Sequence, residues 1–342
     1  MKKLLSLMLC LALMFCFVST KKGEVKAIKT DELVFLNLNG QKYIRTFYDE
    51  FTGTELDNTK WTKSPEWERQ GGSVWDHDMT SVSGGYLKLT AKKNSQDGLV
   101  HCGAVRTRGL FDQKYGFFEA RIRLQSLGGF WSAFWLMPEN IDSGVDGGAD
   151  GTEMDIYEAF SVRESKINHA LHWDGYSSRH KSVGTQVVAD VYDGQFHYFS
   201  MEWTEDYYAF FIDGVETYRL EAGQVVDGKR ISISKIPSYL KLSLESGSWT
   251  GTMKDGEEDC ILVDCVKVYE RADYFSINKK LRGDLDIDAD IDATDSLLIR
   301  EFLCNKNYDL YEPNADANRD GKINAKDALT IRKYLAKVID EI

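Results

Sequence analysis

In Glu153-Met154-Asp155-Ile156-Tyr157-Glu158, acidic and apolar residues alternate as they do along a strand with one buried face. Glu153 and Asp155 then share one side, and Met154 and Ile156 the other. Five steps is an odd number, so strict alternation would turn Glu158 away from the first two acids. One extra residue, a β-bulge near Tyr157, returns it to their side. Three carboxylates in a row, with no Lys or Arg between them, repel one another and raise one another's pKa. A pair of carboxyl groups, one ionised and one kept protonated by that repulsion, is what cleavage of a glycosidic bond requires.

Outward from this stretch the chain has the texture of an all-β protein. From residue 43 to 271, short β-branched and aromatic runs are broken by Gly, Asp and Asn about every eight to twelve residues. Such runs occupy 86–91, 116–124, 196–203 and 207–212, the last closed by the hairpin signal Asp213-Gly214. No stretch of helical period competes with them, so two packed antiparallel sheets are expected rather than an alternating β/α architecture. Just before the acids, Phe130-Trp131-Ser132-Ala133-Phe134-Trp135-Leu136-Met137-Pro138 reads as a strand with Trp131 and Trp135 on one face and Phe134 and Leu136 on the other. Sugar rings present apolar faces, so the two tryptophans are expected in a glycan cleft.

The bulged Glu-x-Asp-x-x-Glu pattern, the tryptophan strand, Arg106-Thr107-Arg108-Gly109 with Tyr115-Gly116-Phe117-Phe118-Glu119-Ala120-Arg121-Ile122, and Gly247-Ser248-Trp249-Thr250-Gly251 together resemble glycoside hydrolase family 16 over roughly residues 43 to 271. That resemblance implies a jelly-roll β-sandwich whose concave face is the substrate cleft. It implies Glu153 as nucleophile, Asp155 as the helper between, and Glu158 as general acid/base of a retaining hydrolase that needs no cofactor for catalysis. Arg106, His172 and Trp249 match positions where the family places cleft residues. The bulged motif resembles that of laminarinases and mixed-linkage glucanases, and also that of agarases and carrageenases. The chain departs from the family pattern in three places: Ser132 stands where Pro is common, Ser243 and Glu245 lie on a strand that often carries Asn, and the segment 67–79 differs from the laminarinase form.

Length and composition allow one large or two ordinary domains: 342 residues, 43% hydrophobic, 12% aromatic and 4 prolines. The formal charge of −12 disfavours nucleic acid and suits a neutral substrate or a calcium-loaded module. Met1-Lys2-Lys3 followed by an apolar run over 4–18 reads as a secretory signal peptide, too short for a membrane span, with cleavage after Thr20 or after Ala27 both open. Cys10 and Cys16 leave with it. Cys102, Cys260, Cys265 and Cys304 lack zinc-site spacing and make no disulfide framework, although a Cys260 to Cys265 bridge and buried free thiols are both compatible with their positions.

After residue 271 two segments repeat each other 32 residues apart (284 to 316): Asp284-Leu285-Asp286-Ile287-Asp288-Ala289-Asp290, reaching Asp295, and Asp316-Ala317-Asn318-Arg319-Asp320-Gly321-Lys322, reaching Asp327. Side-chain oxygens stand at loop positions 1, 3, 5 and 12, and Asp290 and Lys322 at position 7 offer carbonyls, the pattern by which an EF-hand-type loop surrounds Ca²⁺. An apolar helical segment follows each loop, over 296–303 and 328–335. The duplication resembles the dockerin, a calcium-dependent docking module, with Ala289 in place of the turn glycine in the first loop. It implies two Ca²⁺, a cohesin domain of a scaffold protein as partner, and a plant-fibre setting that favours β-glucan over algal galactans.

The expected organisation is therefore a signal peptide (1–27), an N-terminal extension (28–42), a catalytic domain (43–272), a linker (273–282) and a small α-helical docking domain (283–342). The expected activity is that of a secreted, monomeric, retaining endo-β-glucanase acting on β-1,3- or mixed-linkage glucan. Another polysaccharide such as xyloglucan or a galactan, transglycosylation, and an inactive glycan-binding module are the alternatives; the last would have lost a carboxylate, and all three are present.

Overall fold

The structure is a computed structural model that describes residues 35–38, 40–141, 147–247, 249–271, 282–285, 291–304 and 312–340. The expected signal peptide and all but the last residue of the expected linker lie outside them, as do Ala289 and the ligand candidates Asp286, Asp288 and Asp290.

Two sheets form a β-sandwich. The seven-stranded sheet runs in the order Lys181–Val188, Lys166–Trp173, Glu153–Ser161, Trp131–Pro138, Ser238–Glu245, Ala104–Arg106, Thr62–Lys63. Facing it is a sheet of twelve strands, among them Gly116–Arg123, Glu258–Arg271 and Tyr86–Lys93. Pairing is antiparallel as expected, except that Ser73–Trp75 lies parallel to Val100–Cys102. The stretch before Tyr43, expected as an extension, adds the strand Phe35–Leu38, which pairs with Gln41–Asp49.

Alternation decides which side chains fill the space between the sheets. Phe134 and Leu136, Met154 and Ile156, and Leu240, Leu242 and Leu244 all point into one core with Leu87, Phe118, Ile122 and Val263 of the opposite sheet. Burying each such side chain is worth about 1.5–3 kcal/mol, and their partners on odd steps are thereby fixed on the outer face. That outer face carries Trp131, Ala133 and Trp135, which form their own apolar patch. The hairpin signal at Asp213-Gly214 is realised with both residues at positive φ, 49° and 76°, joining Tyr207–Ile212 to Val215–Glu221. Cys102, Cys260, Cys265 and Cys304 are free thiols.

The C-terminal region has its own small core, built from Leu285, Leu298, Ile299, Ala315, Ala317, Ala328 and Ile331. It packs the helix Ala293–Cys304 against the helix Ala325–Leu335, with Ser296 Oγ donating to the Ala328 carbonyl across 3.2 Å. Asn324 caps the second helix in a reciprocal box with Asp327. Among the described residues no helix is long and apolar enough to cross a membrane.

Candidate active site

The acid strand Glu153–Ser161 departs from regular pairing where its sequence demands it. Against the tryptophan strand the register passes from Phe134↔Tyr157 to Trp135↔Asp155, which leaves Ile156 as an extra residue. On the other side, Asp155↔Ala170 is followed by Glu158↔Asn168, so three steps face two. Ile156 and Tyr157 are both fully buried although adjacent, and Glu158 returns to the face of Glu153 and Asp155.

A bulge leaves a carbonyl without its ladder partner, and His169 supplies one. Its Nδ1 lies 2.6 Å from the Ile156 carbonyl, and its Nε2 lies 2.9 Å from Thr217 Oγ1. Burial holds this imidazole neutral, with its pKa pushed down to about 4, so Nδ1–H donates to the carbonyl and Nε2 accepts from the threonine. Beyond the bulge, Gln125 Nε2 donates to the Ala159 carbonyl and Gln125 Oε1 accepts from Ser132 Oγ. The kink is thus braced on both sides.

On the outer face the acids meet a histidine. Oxygen and nitrogen atoms of Glu153, Asp155 and His172 all lie within 4.8 Å of one another, with His172 Nε2 3.3 Å from Asp155 Oδ2. The other ring nitrogen, Nδ1, is 2.9 Å from Nε2 of His180, whose ring lies parallel to that of His172. Burial alone would lower the pKa of His172, but the bond to Asp155 and the charges of Asp155, Glu153 and Glu158 raise it to about 9. As an imidazolium it donates from both nitrogens, and His180, pushed down by burial and by that neighbouring charge, accepts. This trio also has the composition of a metal site, yet both His172 nitrogens are already engaged.

Glu153 is raised to about 7, by burial first and then by Asp155, against the pull of His172 and of a hydrogen bond from Tyr176. Glu158 is raised to about 8, again by burial and then by Asp155, while Asn168 Nδ2 donates to its Oε2 across 2.7 Å. Two carboxyl groups in one row therefore share protons near neutrality.

The tryptophans lie where alternation puts them, but they are covered. Trp131 is 5% exposed and Trp135 7%, because Trp249 leans on the first and the Lys241 ammonium sits 3.7 Å from the ring centre of the second. Trp249, 50% exposed, and Tyr176, 61% exposed, present the open aromatic surface. Arg106 is the cross-strand partner of Lys241, one strand beyond the tryptophans' neighbour.

Sequence reasoning passed over His169, Asn168, Tyr176, His180 and Lys241. Lys241 was there to be found: in Tyr239-Leu240-Lys241-Leu242-Ser243-Leu244-Glu245, strict alternation places it on the face opposite the leucines. Tyr176 and His180 belong to the turn after Trp173 and reach back onto the site, which no periodicity announces.

In the C-terminal region, Asp316 accepts from the amides of Asp320 and Gly321, and Asn318 Oδ1 from that of Asp320, so positions 1 and 3 of the second loop turn inward. Asp320 Oδ1 accepts from the Lys322 amide, and the Lys322 carbonyl from Asn324 Nδ2. Position 12 behaves alike in both repeats: Asp295 accepts from Leu285 and Asp292, Asp327 from Asn318 and Asn324. Asp284 is fully buried. Only oxygen donors line the second loop, which suits a hard cation such as Ca²⁺.

The sequence matches the family described as "Glycosyl hydrolases family 16" over residues 68–267 and "Dockerin type I domain" over residues 282–336. It is 26% identical to the clotting factor G alpha subunit of Tachypleus tridentatus over 75% of this chain, and 26% identical to the endo-1,3-1,4-beta-glycanase ExsH of Rhizobium meliloti over 74%. The chain spans 36% and 56% of the lengths of those two proteins. A beta-glucanase of Rhodothermus marinus is 28% identical over 55% of this chain and 69% of its own length. Among solved structures, the endo-beta-1,3-glucanase of Pyrococcus furiosus superposes with a TM-score of 0.57 at 24% identity, over 69% of this chain and 98% of its own.

Proposed function

The chain belongs to family 16 of the glycosyl hydrolases and carries a type I dockerin domain; from that premise we propose that it is a retaining endo-β-glucanase, secreted and attached to a cellulosomal scaffold. The observation that carries this reading is the braced bulge, which sets Glu158 in one row with Glu153 and Asp155, where burial raises both glutamates toward neutrality.

In the first step a Glu153 oxygen attacks the anomeric carbon, the glycosidic C–O bond breaks, and the Glu158 proton goes to the departing oxygen. A glycosyl ester on Glu153 results. In the second step Glu158, now a carboxylate, takes a proton from water as that water attacks the same carbon, and Glu153 is released. Tyr176 O–H donates to Glu153 and favours its ionised form, so the attacking carboxylate is available while Glu158 still holds its proton. The His172 imidazolium, bonded to Asp155, offsets part of the negative charge of the row. Trp249 offers an apolar face for a sugar ring.

A β-1,3- or mixed-linkage β-1,3-1,4-glucan is the proposed substrate class, supported by the bulged acid motif and by the glucanases among the relatives. In the dockerin, Asp284 and Asp295 of the first repeat, and Asp316, Asn318, Asp320, the Lys322 carbonyl and Asp327 of the second, would hold Ca²⁺, with Asp286, Asp288 and the Asp290 carbonyl completing the first. Bound there, the ion supplies folding energy to the docking surface for a cohesin and takes no part in hydrolysis.

Reducing-sugar release from barley β-glucan and from laminarin tests the proposal. Release is expected from at least one, with Glu153→Gln lowering kcat by about 10⁴-fold or more. Binding of these glucans without release would leave a sugar-binding module instead.

A further inference from the structure

One row of the outer face runs through four strands: Asp155, Trp135, Lys241 and Arg106 are successive cross-strand partners. With strands about 4.8 Å apart, Lys241 stands roughly 10 Å and Arg106 roughly 14 Å from Asp155 along the row. At the backbone both stand apart from the bond being cleaved, although the Lys241 ammonium still feels the Glu153 charge, and both are within reach of a polysaccharide lying across the sheet.

Lys241 is 6% exposed. Its ammonium lies between two aromatic faces, 3.7 Å from the Trp135 ring centre and 4.6 Å from that of Trp75. The carboxylate nearest in kind, Glu245, is claimed by Arg69, which donates to both of its oxygens at 3.1 and 3.2 Å. The Arg69 guanidinium also covers Trp75, 4.3 Å from its ring centre. The turn that carries Arg69 is fastened by a close approach: Gly71, at φ 74°, has no room for a Cβ against the Ser246 carbonyl, and Ser246 Oγ donates to the Gly71 carbonyl. Arg106 Nε is buried and makes no hydrogen bond to a described residue. Three cations thus gather around Glu245 at this end of the row, with Glu153 also acting on Lys241 and Glu139 on Arg106.

A methionine or leucine at 241 would fill the gap between the two tryptophans without desolvating a charge. Burial pushes the Lys241 ammonium down to about 7, with Arg69 and Arg106 adding to the effect and Glu245 and Glu153 opposing it, so an incoming anion would favour its charged form. The cavity of about 420 Å³ lined by Trp173, Lys181, Lys229 and Arg230 gives a contrast. There Lys181 is paired with Asp174, and Lys229 donates to the Ser182 carbonyl.

We propose that Lys241, flanked by Arg106 and Arg69, is an anion subsite that recognises a carboxylate or sulfate ester carried by the glycan on a sugar beyond the one being cleaved. This rests on the hydrolase reading of the same face and adds to it a preference for β-glucan chains that carry an acidic substituent.

The experiment compares the full chain and its Lys241→Met and Lys241→Arg variants on three forms of one β-glucan: unmodified, oxidised in part to C6 carboxylates, and sulfated in part. The wild type is expected to show at least a tenfold higher kcat/KM on one acidic form, which identifies the group. Mass spectrometry of the products should place that group at a fixed distance from the new reducing end. Lys241→Met is expected to erase the preference, Lys241→Arg to keep most of it, and added salt to shrink it. Equal kcat/KM on all three forms, or an equal loss on all three in Lys241→Met, overturns the subsite. Titrating Glu153→Gln with neutral and acidic oligosaccharides reads the subsite without turnover. A tenfold tighter Kd for the acidic one upholds it and equal Kd values reject it, even if the wild type cleaves nothing.

Discussion

The acid strand of the sandwich and the acidic loops of the dockerin begin from nearly the same local pattern, an acidic or amide side chain at alternate positions: Glu153 and Asp155 in one, Asp316, Asn318 and Asp320 in the other. Their surroundings make opposite uses of it. On the strand, two packed sheets hold the carboxyl groups in one row against a buried face, and burial raises Glu153 and Glu158 until protons are shared among them. In the loop, the same spacing lets each side chain accept from backbone amides within the turn. Spacing alone does not separate the two; what the backbone does between the acids separates them.

The largest expected effect is a clean exchange of phenotypes between the two regions. Asp327→Ala, which removes the reciprocal half of the second helix's capping box and a loop oxygen, should abolish calcium-dependent folding of 282–340 and binding to a cohesin, with kcat on glucan changed less than twofold. A chelator should do the same to the wild type, read by circular dichroism of a fragment spanning 282–342 beside reducing-sugar assays of the full chain. Loss of hydrolysis in either case would merge the two regions into one.

Next comes the bulge. His169→Phe keeps the ring volume and deletes the donor to the Ile156 carbonyl, so Glu158 loses its fixed place. A fall in kcat of about 100-fold is expected from such misplacement, with about 1–3 kcal/mol lost from thermal stability. Unchanged kcat would mean that the kink holds without its brace.

Smaller again is the pH effect. Glu153 must be ionised and Glu158 protonated, so kcat/KM should follow a narrow bell near neutrality whose limbs belong to the coupled pair. Tyr176→Phe removes a donor that favours the Glu153 carboxylate. The acidic limb should move up by about one unit and the basic limb little. A parallel drop at every pH would assign Tyr176 to binding alone.

The smallest concerns stability. The folded-state pKa of Glu158 lies above that of an unfolded glutamate, so its contribution to stability is full below about 4.5 and is lost as pH rises toward 8. Glu158→Gln, inactive in hydrolysis, should therefore raise Tm by about 2–5 °C at pH 8.5 and leave it unchanged near pH 4.

Much of this contrast was legible in the residues. Alternation placed Phe134 and Leu136 in the core and Trp131 and Trp135 outside it, and the odd step count between Glu153 and Glu158 demanded a bulge, found at Ile156. The duplicated loops and helices announced the second region, and its two helices formed as spaced. What escaped was set by contacts distant in sequence. His169 is an ordinary strand residue until the bulge frees the Ile156 carbonyl, and Tyr176 gains its role only because a turn folds back over Glu153. The covering of Trp135 by Lys241 follows from strand order, Ser238–Glu245 beside Trp131–Pro138, which no local pattern encodes.

The most direct test of the bulged acid row is to trap its covalent intermediate. Incubation with an activated 2-deoxy-2-fluoro β-glucosyl or laminaribiosyl donor, followed by peptide mass spectrometry, should add one glycosyl mass to the peptide bearing Glu153, with the ester on that residue. A label on Asp155 or Glu158, or complete turnover with inversion at the anomeric carbon, would contradict the assignment of nucleophile and proton donor.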